Sequence, residues 1–403
     1  LYLWEEKRMK ATRRVLTSTW DYDVVINGGG IVGAAVAADL TRNFSGQLKV
    51  AVIEPSKVKP LRTTRSLPDA RTYALSPRSI QYLDRLGAWK YVEPRSHPYK
   101  SMQIWESSGP GLVKFHAREM KVDELGRICE DATVQSAIYK SIEESGHKIE
   151  YINSHVISDV EVPTSDSFFT DPVSLKLVGT ADKADGRSIT SRLLIGADGG
   201  ASAVRRLSGI STWGWSYGQE AVVATISIRD QLPTDGDGPI SPLRNYNNTA
   251  WQKYLPTGPL GILPLWDGYA SIVWSLPHNE AKKMKALSNE EFLVRLNEAI
   301  RTPPKTDRWS VLEPNDATTF PPFINSFVQY VNKASAGTVP LDRMKQEAAA
   351  VLDAIMSAGQ LSDPFTLPYE IKHVCGPRLS FPLSFQQAKH YTANRVALIG
   401  DAA

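Results

Sequence analysis

Cysteine is almost missing from this chain: Cys129 and Cys375 stand alone among 403 residues, far apart and outside any C-x-x-C or His-rich setting. That scarcity excludes a disulfide framework and gives no zinc motif, and it fits a reducing compartment. Long apolar runs are missing too, since none approaches the roughly 20 residues that a spanning helix requires. Charge of one sign is not in excess: 46 Lys and Arg face 43 Asp and Glu, spread along the chain with a formal net charge of +3. A nucleic-acid footprint therefore has no footing, whereas a basic face toward anionic lipid stays open. Internal repeats and low-complexity tracts are also absent. With 42% apolar and 22% charged residues, disordered and fibrous classes are excluded, and the length suffices for two packed domains or one large composite.

Acid is absent from Lys7 to Thr19, a basic, hydroxyl-rich stretch that reads as the tail of a mitochondrial transit peptide or as a solvated arm; Glu5 and Glu6 speak against the first reading. The first residue is Leu1, and both ends of the chain read as cut.

Past that arm, Asp21 to Ile26 reads as a strand, and Gly28-Gly29-Gly30-Ile31-Val32-Gly33 turns it into a helix rich in small residues, Ala34, Ala35, Ala37 and Ala38. Lys49 to Glu54 is the next strand, so the three form a βαβ unit. Its glycines permit a tight turn, close approach of a pyrophosphate and close packing of helix on strand. The helix start offers unpaired N–H groups and positive partial charge to that anion. Glu54 closes the second strand 21 residues after Gly33, the place for a carboxylate that accepts hydrogen bonds from ribose hydroxyls. Together these predict dinucleotide binding and leave the choice between FAD and NAD(P) open.

Ser76-Pro77 before Ile80, Leu83 and Leu86, with Gly87 behind, predicts a capped helix. Asp131 opens a second, with Val134, Ala137, Ile138 and Ile142 on one face. Leu193 to Ile195 reads as a buried strand ending at Asp198-Gly199, and Arg395 to Ile399 as another ending at Gly400-Asp401. Between them Ala221–Ile228, Gly261–Leu265 and Tyr269–Leu276 are β-branched and aromatic runs broken by turns, which predicts an antiparallel sheet inserted into the first domain. A further helix is expected from Asp342 to about Ala358. The apolar positions Phe323, Ile324, Phe327, Val328 and Val331 read as a domain-packing helix or as a membrane or partner surface.

Set side by side, three separated signatures resemble those of the single-component FAD aromatic hydroxylases: the G-x-G-x-x-G unit, Asp198-Gly199 followed by Ser202 and Val204-Arg205, and the closing Gly400-Asp401. Asp69-Ala70-Arg71-Thr72-Tyr73-Ala74-Leu75-Ser76, Trp215 to Ala221, Leu255 to Leu260, Ser271 to Trp274 and Arg378 to Leu383 narrow the likeness to the ubiquinone-biosynthesis hydroxylases of the UbiH type, and within them to the eukaryotic mitochondrial branch. The likeness covers residues 21 to 403 apart from 160–190, 230–245 and most of 300–375. Two departures stand out. Asn27 replaces an apolar residue and reads as solvent-facing or as a turn cap. The His, Pro and Gly-Gln-Gly that follow Gly-Asp-Ala-Ala in the family are not in these 403 residues, so the chain reads as truncated and its own activity as open.

The resemblance implies an α/β fold: an FAD-binding Rossmann-like domain (21–95, 120–214 and 376–403), an inserted antiparallel-sheet substrate domain (96–119 and 215–319), a helical insert (320–375) and an N-terminal arm (1–20). It implies FAD held by Gly28, Gly30 and Gly33 at the pyrophosphate, Glu54 on ribose and Asp401 on the ribityl chain. Arg71 and Gln135 would be further contacts, and Asp198 would organise the site from the neighbouring strand. Trp215, Tyr217, Phe381 and Pro382 would lie near the substrate or the flavin ring. In the implied reaction reduced FAD takes up dioxygen to give a C4a-hydroperoxyflavin, which an electron-rich phenol ring attacks; the cofactor carries the hard chemistry, so no metal and no Ser-His-Asp set is needed. The implied substrate is a polyprenylated hydroxybenzoate-type precursor of ubiquinone, with electrons from ferredoxin and its reductase or from NAD(P)H. The implied setting is the matrix side of the mitochondrial inner membrane, as a peripheral member of a ubiquinone-biosynthesis complex.

Residue by residue, plainer readings remain. Arg71 also fits a surface charge at a helix entry, Gln135 a solvated helix position, Asp198-Gly199 a simple turn, and the four aromatic-region residues plain core. A nicotinamide dehydrogenase fits the βαβ unit and leaves Gly400-Asp401 unexplained. A flavin hydroxylase of another substrate, such as kynurenine or a sterol precursor, also fits the motifs, as does a cofactor-poor interaction component of a lipid-biosynthesis complex.

Overall fold

The computed structural model describes residues 20–164, 171–180, 186–229, 248–304 and 365–403. Most of the expected N-terminal arm, the Phe323–Val331 face and the Asp342–Ala358 helix lie outside the described residues.

The strand β1 (Tyr22–Asn27) is buried along nearly its whole length, as a strand covered on both faces must be. It pairs in parallel with β2 (Val50–Glu54), Val24 opposite Val50, after the helix α1 (Ile31–Asn43) has crossed between them. On its other side it pairs in parallel with β3 (Arg187–Gly196), Val24 opposite Leu193. The strand Ile149–Asn153 continues the parallel run beyond β2. Ala34, Ala37 and Ala38 are fully buried, which lets α1 sit close on the sheet beside the helix α2 (Asp131–Glu144). Val24 and Ile26 enter the core under these helices, while Val25 enters the core on the opposite face with Ile53, Leu175 and Leu194.

The second sheet has seven strands among the described residues. Its frame is β4 (Thr212–Ser227), flanked antiparallel by β5 (Tyr269–Pro277) and β6 (His373–Ala388). The sheet is antiparallel as expected except where Thr249–Leu255 lies parallel to Ser101–Glu106. One face, carrying Val222, Ala224, Ile226, Ile272 and Trp274, packs on Met284, Phe292, Leu296 and Ile300 of two helices, His278–Ala286 and Asn289–Arg301. The division expected at residue 376 falls inside β6, whose partner is β4 from one end to the other. Residues 373–375, expected to close a helical insert, open that strand.

A small sheet of Thr72–Leu75, Gly126–Glu130 and His97–Tyr99 joins the two units, its Ile128 buried with Trp266 and Cys375 of the second sheet. The last strand, β7 (Val396–Leu398), returns to the first sheet and lies parallel to β3.

Candidate dinucleotide site

The turn between β1 and α1 is built so that its glycines have different neighbours. Gly28 sits at φ +104°, where side chains are strained, and a Cβ on it would overlap the Ala197 carbonyl oxygen. A Cβ on Gly33 would overlap the Gly28 carbonyl oxygen. These two positions need glycine for packing. Gly30 differs: a Cβ there meets nothing within 4 Å, so the space above the helix start is open to a ligand. The helix begins without a side-chain cap and without an acid in its first turn, so its first N–H groups are left for an anion. A pyrophosphate fits this cradle.

Three side chains hold the turn. Glu54 Oε2 accepts from the Gly29 N–H at 2.7 Å and its Oε1 from the Ser56 N–H at 3.0 Å, which leaves a further lone pair on each oxygen for ribose hydroxyls. Gln135 Nε2 and the Tyr139 hydroxyl both donate to the Gly29 carbonyl, at 2.8 and 2.9 Å. Gln135, expected as a flavin contact, is thus tied to the loop that would hold the cofactor. Tyr139 belongs to none of the motifs; burial, then Tyr151 and Glu54, push its phenol far above the ordinary range, so it serves as a neutral donor. Only its spacing one turn after Gln135 on the same helix face signals it.

Asp198 is the anchor of the neighbouring strand end. Its Oδ2 accepts from Asn27 Nδ2 at 2.9 Å and from the Ala203 and Val204 N–H groups at 2.7 and 3.2 Å, and its Oδ1 from the Ser202 hydroxyl at 2.6 Å. Asn27 corrects the expectation of a solvent-facing residue or turn cap: it is buried, because its amide joins the end of β1 to Asp198. Arg205, buried nearby, donates to the carbonyls of Gly200 and Ala402 at 2.7 and 3.1 Å and so ties the Asp-Gly loop to the Gly-Asp strand end.

Asp401 lies exposed on the turn after β7 and lines a cavity of about 1040 Å³ with Gly200, Ser202, Arg205, Phe381 and Pro382. A second cavity of about 690 Å³, lined by Arg71, Asp69, Asp131, Cys375 and Leu379, lies farther along β6. Arg71 donates to the Tyr73 hydroxyl at 3.0 Å and stands 3.9 Å from Asp131. Partial burial acts to lower its pKa, yet Asp131, Tyr73 and Asp401 raise it above the ordinary value, which places Asp401 within its electrostatic reach. Burial pushes the Cys375 thiol up to about 11, so it is no nucleophile at neutral pH.

The aromatic candidates separate. Phe381 and Pro382 join Asp401 at its cavity, whereas Trp215 lines an adjoining one with Trp213 and Phe385, its ring 4.8 Å from that of Phe385. Tyr217 is half exposed, edge-on to Trp215 at 6.2 Å, and lines neither. The glycine turn, Glu54 and Asp198 thus adjoin one another, and Gly400 brings the Asp401 turn against Val32 of α1.

Comparison with known proteins agrees with this geometry. The family described as FAD binding domain matches residues 21–320. The mitochondrial ubiquinone biosynthesis monooxygenase COQ6 of Mus musculus is 30% identical over 95% of this chain and 70% of its own length. The protein of the same name from Danio rerio is 32% identical over 95% of this chain and 69% of its own. Among solved structures, p-nitrophenol 4-monooxygenase PnpA from Pseudomonas putida DLL-E4 shares the fold, with a TM-score of 0.57 at 16% identity over 95% of this chain and 73% of that one.

Proposed function

Since the chain belongs to the FAD binding domain family and is an FAD-dependent aromatic-ring monooxygenase of the ubiquinone-biosynthesis kind, we propose that it hydroxylates the ring of a polyprenylated hydroxybenzoate-type precursor. The observation that supports this reading is that the three signatures pack on one another: Glu54 holds the Gly29 N–H, Gly28 packs on Ala197 and Asp198, and Gly400, beside Asp401, faces Val32 at the start of α1. Bound FAD supplies the oxygen-activating chemistry.

The chain's own residues bind, orient and screen. The free N–H groups at the start of α1 would hold the pyrophosphate, Glu54 would accept from ribose hydroxyls, and Asp401 would accept from the ribityl chain. Arg71 would bring positive charge from the second cavity. Phe381, Pro382 and Leu379, exposed at the two cavities, would lay apolar surface against the bound ring and screen it from water. The proposed electron source is ferredoxin with its reductase, or NAD(P)H. The proposed setting is the matrix side of the mitochondrial inner membrane, within a ubiquinone-biosynthesis complex.

The test is oxygen uptake by the FAD-loaded protein with a chemical reductant, given a prenylated or an unprenylated hydroxybenzoate. Uptake coupled to ring hydroxylation of the prenylated compound supports the reading. Hydroxylation of neither, in protein that shows a bound-flavin spectrum, would overturn the choice of substrate.

A further inference from the structure

Away from the glycine cradle, one ion pair among the described residues is completely buried. Arg95 and Glu130 are both 0% exposed, and they meet through two parallel bonds, Nε to Oε2 and Nη2 to Oε1, each 2.7 Å. A charge pair taken wholly out of water is weak support for stability, since apolar residues of similar volume replace such pairs with little loss. What the pair touches suggests another role.

Apart from Thr133 and the Trp266 ring, the partners beyond the pair belong to residues 64–71. Arg95 Nη1 donates to the Thr64 carbonyl and, at 3.3 Å, to the Ser66 hydroxyl. Glu130 Oε1 accepts from the Asp69 N–H at 2.9 Å, while Thr133 donates to its Oε2 at 2.7 Å. The second sheet holds the same segment from the opposite side. The Trp266 indole donates to the Ser66 carbonyl at 3.3 Å, the Thr225 hydroxyl to the Pro68 carbonyl at 3.1 Å, and the Ser271 hydroxyl to the Ala70 carbonyl at 3.3 Å. Alternate carbonyls face one sheet while the intervening N–H of Asp69 faces the ion pair. The Arg95 guanidinium also lies 4.8 Å over the Trp266 ring, so one side chain touches both layers. The segment so clamped runs into Arg71 and lines, with Ser66, Asp69 and Arg71, the cavity that faces Leu379 of β6.

We propose that Arg95 and Glu130 are positioning residues for the cofactor cleft: the pair locks residues 64–71 to the second sheet and thereby sets Asp69 and Arg71 at the rim. The inference rests on the FAD assignment and not on the choice of substrate.

The pair is replaced by apolar side chains of similar length, Arg95→Met with Glu130→Met, in the full chain. Three readings are compared with the parent: thermal unfolding, amide exchange of Asp69 in flavin-free protein, and the affinity and visible band of added FAD. The expected result is retained unfolding temperature, faster exchange at Asp69, FAD binding weakened by roughly 10-fold, about 1.4 kcal/mol, and a shifted flavin band. Retained folding with parental exchange, affinity and band would overturn the proposal. Should the double variant fail to fold, Thr225→Val and Ser271→Ala carry the test, because they release the segment from the sheet with the pair intact. The same changes in exchange and band then support the proposal, and parental values in both overturn it.

Discussion

Glycine at two positions of one turn serves different ends, and substitution separates them. Gly33 has no room for a methyl group against the Gly28 carbonyl, so Gly33→Ala is expected to destabilise the protein by about 1–3 kcal/mol or more. Gly30 has an ordinary backbone, φ −62° and ψ −175°, and open space where its Cβ would point. Gly30→Ala is therefore expected to leave the unfolding temperature of the flavin-free protein unchanged while weakening FAD by roughly 10-fold, about 1.4 kcal/mol. Calorimetry on flavin-free protein and flavin titration read the two quantities; equal loss of stability in both variants would refute the distinction. These glycines are legible in the sequence because their spacing and chemistry are local. The roles of Asn27 and Gln135 are not, since their partners lie 171 and 106 residues away and only the packed sheet brings them close.

Among the elements, the helix Asn289–Arg301 shows how a capped end is built twice over. At its start Ser288 and Glu291 form a capping box, the Ser288 hydroxyl accepting from the Glu291 N–H at 3.1 Å and the Glu291 carboxylate from the Ser288 N–H at 3.0 Å. At its end the buried Lys253 ammonium donates to the carbonyls of Ala299 and Thr302, at 2.5 and 2.9 Å, where the helix carries negative partial charge. Burial pushes Lys253 down to about 8 from its ordinary value. Its folded pKa is thus below its unfolded one, so between the two the unfolded chain holds more protons and this group's contribution to stability rises with pH. Lys253→Met is expected to lose about 1–3 kcal/mol at neutral pH through the Ala299 carbonyl it leaves unpaired, the Thr302 carbonyl keeping the Trp105 indole. It should also flatten the pH dependence of the unfolding temperature between pH about 8 and 10.5, the window set by the two pKa values; an unchanged slope there would count against a buried titrating lysine. The Ser-x-x-Glu signal of this helix is present in the sequence but is masked, because the strand pattern before it draws the segment into the sheet domain. The reach of β4 back to Thr212 is hidden for another reason. Its first half alternates aromatic and small residues that stand exposed, so no buried-strand pattern marks it.

For the whole molecule, the two units meet through groups whose charge depends on pH. Burial alone would raise the Glu130 carboxyl, but hydrogen bonds from Arg95, the Asp69 N–H and Thr133, with the Arg95 charge, hold it below the ordinary carboxylate value. Its stabilising contribution is complete above that ordinary value and is lost as pH falls through the depressed one. Glu130→Gln removes this dependence and leaves the Arg95 charge buried without its counter-ion, at an expected cost of about 3–5 kcal/mol at neutral pH. The Arg95→Met, Glu130→Met pair removes the acid dependence without that penalty. Unfolding temperatures from pH about 6 down to 3 test this: the parent should fall more steeply than the apolar pair, and parallel curves would refute the assignment. At this scale the two-sheet plan and the dinucleotide end are readable from motif order, whereas the joint between the sheets is not. Arg95 and Glu130 carry no motif, and their partners are assembled from four separate stretches of chain.

The parallel pairing of β7 with β3 also has a kinetic meaning. Leu194 finds Val396 across 202 positions, and β3 in turn finds β1 across about 170, so the first sheet forms from contacts that are distant along the chain. Such topologies fold slowly, and during synthesis the edge of β3 waits for β7 to emerge. An uncovered edge of that kind is a template for intermolecular strand addition. Deleting residues 395–403 should therefore raise light scattering during refolding above that of the parent. β7 would then act as much to close a growing sheet as to position Asp401.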